Sequence, residues 1–183
     1  MAIAHKVQDY MTEHGVRYDI VMHPHSHNSM ETAEVAHVPG HHLAKAVILE
    51  DEDGFVMVVL PSTCHVRLGV LSRELNRRLR LAHESQLPEL FADCEAGAIP
   101  PVGLAYGLPT FIDEHLTDTP EVYFEAGDHE QLIRMDRDQF KVLMEHVGRA
   151  RFARACPIAR RRPTIARSPA SVVALRSPLS PLR

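Results

Sequence analysis

From Leu43 to Leu60 the chain reads LAKAVILEDEDGFVMVVL, two apolar runs separated by an acidic turn, and no other stretch restricts the fold as strongly. Six of the seven residues from Leu43 to Leu49 are apolar, as are all six from Phe55 to Leu60. The Asp53-Gly54 pair between them is a hairpin signal. Arms that are apolar on both faces belong in the middle of a covered sheet. One residue resists that placement. Lys45 carries an ammonium, and at the front of a buried strand it must be paired, reach water or look into a functional pocket. With a tight two-residue turn at Asp53-Gly54, Lys45 stands opposite Ser62, near the open end of the hairpin, where a side chain can face a cleft. A lysine at a strand end is also a common solvated residue, its stem laid along apolar surface.

Around the hairpin, short helices alternate with strands. Val7, Tyr10, Met11 and His14 recur at helical spacing and predict a helix over 4–14 that stops at Gly15. A strand is expected over 18–22, then a short helix N-capped by Ser29 and closed by Pro39-Gly40. Residues 68–79 read as an amphipathic helix and 85–91 as a second, shorter one, after which GAIPPVG, Gly97 to Gly103, interrupts. Strands are expected over 110–113, 121–126 and 132–135, the last two joined by GDHEQ. Asp136 with Gln139 resembles a capping box opening a helix to about Val147. Strands linked by short turns, with helices inserted between pairs, argue for an α+β domain around a curved, mostly antiparallel mixed sheet with flanking helices. A doubly wound parallel sheet is disfavoured, because two hairpins occur where crossover helices would be needed.

At 183 residues with 45% hydrophobic content, the chain can bury one core, so one domain is expected. Cys64, Cys94 and Cys156 are widely separated and odd in number, which suits a reducing compartment; no window approaches a membrane span, and a cytoplasmic protein without membrane partners is expected. Net charge divides the chain in two. Residues 149–183 hold nine arginines, five prolines and no acid, leaving residues 1–148 with 11 Lys and Arg against 24 acids. The expectation is a folded domain over 1–148 and a disordered tail over 149–183, with an RNA-gripping arm as the alternative for the tail.

Three places on this scaffold are candidates for chemistry. Lys45 is the first. The loop Gly97 to Pro101 is the second: either a rigid turn, or a stiff backbone presenting the N–H groups of Ala98 and Ile99 to an oxyanion. The turn Gly127 to His129 is the third, with His129 either an exposed turn residue or a polar contact beside Lys45. Taken together, LAKAVILEDEDGFVMVVLP, CEAGAIPPVG, TFIDEHL and VYFEAGDHEQLIRMDRDQF, in this order and spacing, resemble the YbaK/prolyl-tRNA synthetase-associated domain family over about Tyr18 to His146. Those domains hydrolyse wrongly charged aminoacyl-tRNA.

The resemblance implies a compact α+β domain around a barrel-like mixed sheet. It implies a trans-acting aminoacyl-tRNA deacylase for small amino acids, with tRNA for proline among the carriers and the acceptor end of aminoacyl-tRNA as partner. Its strand lysine matches Lys45, its G-x-x-x-P loop matches Gly97 to Pro101 through Ala98 and Ile99, and its late hairpin matches Ala126-Gly127, with His129 in the position of a pocket histidine. Met22, His27 and Met30 are candidates for shaping the amino-acid pocket. The implied mechanism needs no cofactor and no protein nucleophile: water or a substrate group attacks, a ribose hydroxyl assists, and the protein positions and supplies charge. Ala46 departs from the polar residue many relatives place after the lysine, so amino-acid specificity does not transfer. Two other functions stay open. One is a tRNA-end or nucleotide-binding module without turnover. The other is a metal-dependent enzyme on His23, His25 and His27, which share a face in an extended segment.

Overall fold

The computed structural model describes residues 3–155. Helix α1 (His5–Glu13) buries Val7 and Met11, one turn apart on its inner face, and ends before Gly15. Strand β1 (Asp19–Met22) follows. Helix α2 (Ser29–Val35) is capped by Asn28 rather than Ser29: Asn28 is extended and its Oδ1 accepts the Met30 and Glu31 amides at 3.1 Å each. Asparagine one residue earlier supplies the cap, so Ser29 becomes the first helical residue.

Strands β2 (Leu43–Asp51) and β3 (Gly54–Pro61) form the expected antiparallel hairpin, with its turn one residue earlier than expected. Asp51 pairs with Gly54 and the loop is Glu52-Asp53, because Gly54, at φ +119°, supplies the backbone that ends the turn. Lys45 therefore pairs with Leu60, not Ser62. Both faces of β3 are covered. Met57 and Val59 enter one core with Val7, Met11, Phe91, Phe124 and Phe140, while Val56, Val58 and Leu60 enter a second with Leu49, Leu71 and Phe152. Each fully buried side chain of this size contributes about 1.5–3 kcal/mol, which is why the two apolar arms lie inside.

Strand β4 (Cys64–Val66) leads to α3 (Leu68–Glu74), which stops well short of residue 79. Asn76 takes φ +51°, a left-handed conformation that asparagine tolerates and a helix interior does not. After β5 (Arg80–Leu81), a 3-10 turn and the one-turn helix α4 (Leu87–Leu90) occupy the second predicted helix. Strands β6 (Thr110–Asp113), β7 (Glu121–Glu125) and β8 (Gln131–Asp136) fall where expected. Helix α5 (Arg137–Leu143) is capped by Asp136, which accepts the Gln139 amide at 2.9 Å. The reciprocal half of the capping box is absent, because Gln139 Oε1 accepts the Arg17 amide instead, at 2.8 Å.

The large sheet has the order β1-β8-β7-β2-β3-β6 and continues to β9 (Gly148–Ala150), with β5 on β2. It is mixed: β2 with β7, β3 with β6 and β6 with β9 are parallel, and the other pairs are antiparallel. Helices flank it, giving a single α+β domain. No helix among the described residues is long and apolar enough to cross a membrane.

The fold does not stop at Gly148, where the composition changes. Strand β9 joins β6, Phe152 is fully buried, and β10 (Ala153–Ala155) pairs with β4. Asp113, itself fully buried, fastens this extension: its Oδ2 accepts the Phe152 and Ala153 amides at 2.8 and 2.6 Å, and its Oδ1 accepts the His115 amide at 3.1 Å. A charge pattern could not reveal this, since the contacts are made by backbone amides and one phenylalanine. The rest of the proposed tail, with Cys156, lies outside the described residues.

Candidate active site

The open end of the hairpin faces a cleft of about 380 Å³. Lys45 lines it, half-buried, with its ammonium donating to the Ser62 carbonyl oxygen at 3.1 Å. The hydrogen bond recovers in space the Lys45–Ser62 proximity that the register does not give. Lys45 also borders a smaller groove formed with Cys64, His65, Val66, Leu68 and Leu81, so the ammonium stands between two concave surfaces.

Across the cleft from β2 runs the loop after α4. Gly97 and Ile99 line the cleft. Among the described residues neither amide has an intramolecular acceptor. Ala98 does not share that role: it is fully buried and its N–H donates to the Glu95 carbonyl at 3.1 Å, closing the turn. Pro101 is buried beneath the loop and does not line the cleft. The backbone at Gly97 has φ +94°, and a Cβ there would lie 3.4 Å from His129 Cε1. Glycine is therefore favoured by conformation, and a Cβ would rest in ordinary contact with the imidazole.

The turn between β7 and β8 carries the loop instead of lining the cleft. The Glu95 amide donates to the Gly127 carbonyl at 2.8 Å, and His129 Nε2 donates to the Ala96 carbonyl at 2.9 Å. A carbonyl can only accept, so these contacts fix the protonated ring nitrogen of His129 as Nε2. His129 is thus neither an exposed turn residue nor a wall of the cleft; it is buried and positions the loop.

The candidates for an amino-acid pocket separate from the cleft. Met22 is 65% exposed, Met30 49% exposed, and His27 is exposed; of that segment Ser29 alone reaches the cleft. The three histidines do not share one face. His23 turns back to donate from Nδ1 to the Pro24 carbonyl at 2.8 Å and is buried, while His25 lies edge-on to His27 and tilted to His129, with ring centroids 5.3 and 5.4 Å apart. Among the described residues no three His, Cys, Asp or Glu side chains converge to hold a metal.

Sequence reasoning missed the apolar surface that Ile48 of β2 gives together with Leu87, Phe91 and Cys94, and missed Glu125 at the end of β7. Glu125 is 5% exposed. Burial raises its pKa, against the opposing effects of the Thr32 hydrogen bond and of His23 and His129. Cys94 is no nucleophile here. Its thiol lies 3.2 Å from the Tyr106 hydroxyl, and burial pushes its pKa up to about 11, so it stays protonated at neutral pH.

Residues 23–143 match the model of a family described as the aminoacyl-tRNA editing domain. No curated protein matches the chain in a sequence comparison. Among solved structures, a candidate trans-editing enzyme for prolyl-tRNA synthetase superposes with a TM-score of 0.72 at 24% identity, over 83% of this chain and 97% of that one. The protein APE2540 superposes with a TM-score of 0.72 at 20% identity, over 82% of this chain and 100% of that one. In a larger protein from Marinobacter aquaeolei VT8, described as a candidate for signal transduction, the likeness covers 81% of this chain and 30% of that one, with a TM-score of 0.64 at 19% identity. At these identities the structural likenesses establish the fold alone.

Proposed function

Because the chain belongs to the aminoacyl-tRNA editing domain family, we propose that it is a trans-acting deacylase that hydrolyses the ester of tRNA charged with the wrong small amino acid. The observation that carries this reading is that Lys45, Gly97 and Ile99 line one cleft, with no acceptor for the Gly97 and Ile99 amides among the described residues. Ester hydrolysis develops negative charge on the carbonyl oxygen, and fixed N–H donors in a partly dry cleft stabilise it without reorganising. Lys45 supplies a cation for that oxygen or for the neighbouring phosphodiester of the tRNA end. Water is the nucleophile, assisted by a hydroxyl of the terminal ribose. No serine, cysteine or metal takes part, and the protonated state of Cys94 agrees with that assignment.

The apolar lining of the cleft supports a restriction to small, uncharged side chains. Its apolar wall of Ile48, Leu87 and Phe91 rejects a large side chain by overlap, whereas an extra methylene that fits gains only about 1–3 kcal/mol. Small residues are accordingly the errors for which a second sieve is useful. A screen of purified protein against charged tRNAs tests the proposal, beginning with alanyl-tRNA(Pro), cysteinyl-tRNA(Pro) and seryl-tRNAs. Hydrolysis of one or a few small species, in the presence of a chelator, is expected. Tight binding without release of amino acid from any of them would replace the enzyme with a binding module.

A further inference from the structure

Of the three glutamates that line the cleft, Glu84, Glu95 and Glu125, the mechanism above leaves the buried one, Glu125, without a task. Strands β2 and β7 run parallel, Ala44 pairs with Phe124, and the next residues along the two strands are Lys45 and Glu125. Both line the cleft. Glu125 Oε1 accepts the Thr32 hydroxyl at 2.7 Å, but Oε2 is buried with no hydrogen-bond partner among the described residues. Thr32 has one hydroxyl proton, and the Asn28 carbonyl, at 3.0 Å, is its other acceptor. The shorter bond to the carboxyl takes that proton, and Ser26 Oγ, 2.8 Å from Thr32 Oγ1, donates to the threonine in turn.

The surrounding imidazoles add acceptors, not donors. His23 uses Nδ1–H on the Pro24 carbonyl and His129 uses Nε2–H on the Ala96 carbonyl. In their neutral forms His23 Nε2 and His129 Nδ1 are therefore acceptors, and both are buried without a partner. Of these buried acceptor atoms, Glu125 Oε2 belongs to a residue that lines the cleft, and a carboxylate oxygen there without a donor calls for a ligand rich in N–H and positively charged.

We propose that Glu125 is the subsite for the α-ammonium group of the aminoacyl ester, an assignment that rests on the deacylase reading. The ammonium, with three N–H donors, meets the unpartnered Oε2 of Glu125. The ester carbonyl then lies toward Lys45 and the amides of Gly97 and Ile99, and the amino-acid side chain toward Ile48, Leu87 and Phe91. The consequence is a second selectivity beside size. Esters whose α-nitrogen is acylated, as in peptidyl-tRNA, carry neither the charge nor the three donors, and the cleft spares them.

The experiment uses the full chain and the small-residue aminoacyl-tRNA hydrolysed fastest in the screen, compared with its α-hydroxy analogue made by nitrous acid deamination. Under single-turnover conditions the wild type is expected to hydrolyse the amino ester at least about tenfold faster than the hydroxy ester. The isosteric Glu125→Gln variant should bring the two rates to within about twofold of each other by slowing the amino ester. Equal wild-type rates, or a preference that survives in a folded Glu125→Gln, would overturn the ammonium subsite and leave the deacylase reading standing. If no ester is hydrolysed, the deacylase reading fails and calorimetry decides the subsite. The non-hydrolysable 3′-alanylamino-3′-deoxyadenosine should bind at least about tenfold tighter than its N-acetyl derivative, and Glu125→Gln should remove the difference. Equal affinities, or no binding of either, would contradict the subsite.

Discussion

His129 holds Ala96: the imidazole Nε2–H reaches the alanine carbonyl oxygen at 2.9 Å across 33 residues of chain, and the ring packs under Gly97. The loop that presents the Gly97 and Ile99 amides is thereby fixed to the β7–β8 turn at two points, the other being the Glu95–Gly127 bond. Orientation of such donors within a fraction of an ångström is what makes them effective.

Removing the tether should therefore harm turnover more than binding. His129→Ala is expected to lower kcat roughly ten- to a hundredfold with a smaller change in KM, and His129→Gln, which keeps an N–H donor, to retain more activity. Steady-state kinetics on the hydrolysed aminoacyl-tRNA reads both parameters. A KM effect alone would mean that His129 contacts substrate and does not position the loop.

Truncation distinguishes the end of the fold from the change in composition. A chain ending at Ala155 keeps β9, β10 and Phe152 and should melt like the full chain. A chain ending at Val147 leaves Asp113 Oδ2 without its two amide donors and opens the core around Phe152. Phe152→Ala alone should cost about 3–5 kcal/mol by cavity formation. Thermal unfolding of the three proteins checks this; equal melting of the Val147 truncation would show that the extension is dispensable.

The buried carboxyl of Glu125 gives stability a pH dependence of defined sign. Burial, with a smaller contribution from Asp128, raises its pKa above the ordinary 4.5, while Thr32, His23 and His129 oppose the rise. The folded state thus binds the proton more tightly than the unfolded state. This contribution to stability is fully present below about pH 4.5 and is lost as pH rises through the native pKa. Glu125→Gln carries no titrating group there, so its stability relative to wild type should increase with pH across that window and then level off. Denaturant melts at a series of pH values measure the difference; a constant difference would mean that the carboxyl is not shifted by its surroundings.

The central hairpin, the mixed α+β character and three later strands were legible because period, apolar runs and turn residues act locally. Local signals also brought out Lys45 and Gly97, the one as a charge in an apolar run and the other as a glycine in a proline-stiffened loop. Glu125 was not legible. It ends an alternating strand where a glutamate reads as solvated, and only the packing of Thr32 and the His23 segment buries it. Ala98 was misread for a related reason, since the fate of its amide depends on the turn that Glu95 closes. Met22 and Met30 were candidates for the amino-acid pocket, yet β1 is an edge strand and both methionines are exposed. The extension through Phe152 was hidden because its partners, β6 and β4, lie about 40 and 90 residues earlier in the chain.

The most direct measurement is single-turnover release of amino acid from mischarged tRNA by wild type and Lys45→Ala, with a chelator present and circular dichroism as the fold control. Lys45 stands at a half-buried strand end and outside the buried apolar cores, so the variant should keep the wild-type spectrum. The account predicts hydrolysis of alanyl-, cysteinyl- or seryl-tRNA by the wild type and a loss of about a hundredfold or more in the folded variant. Wild-type release by folded Lys45→Ala would contradict it.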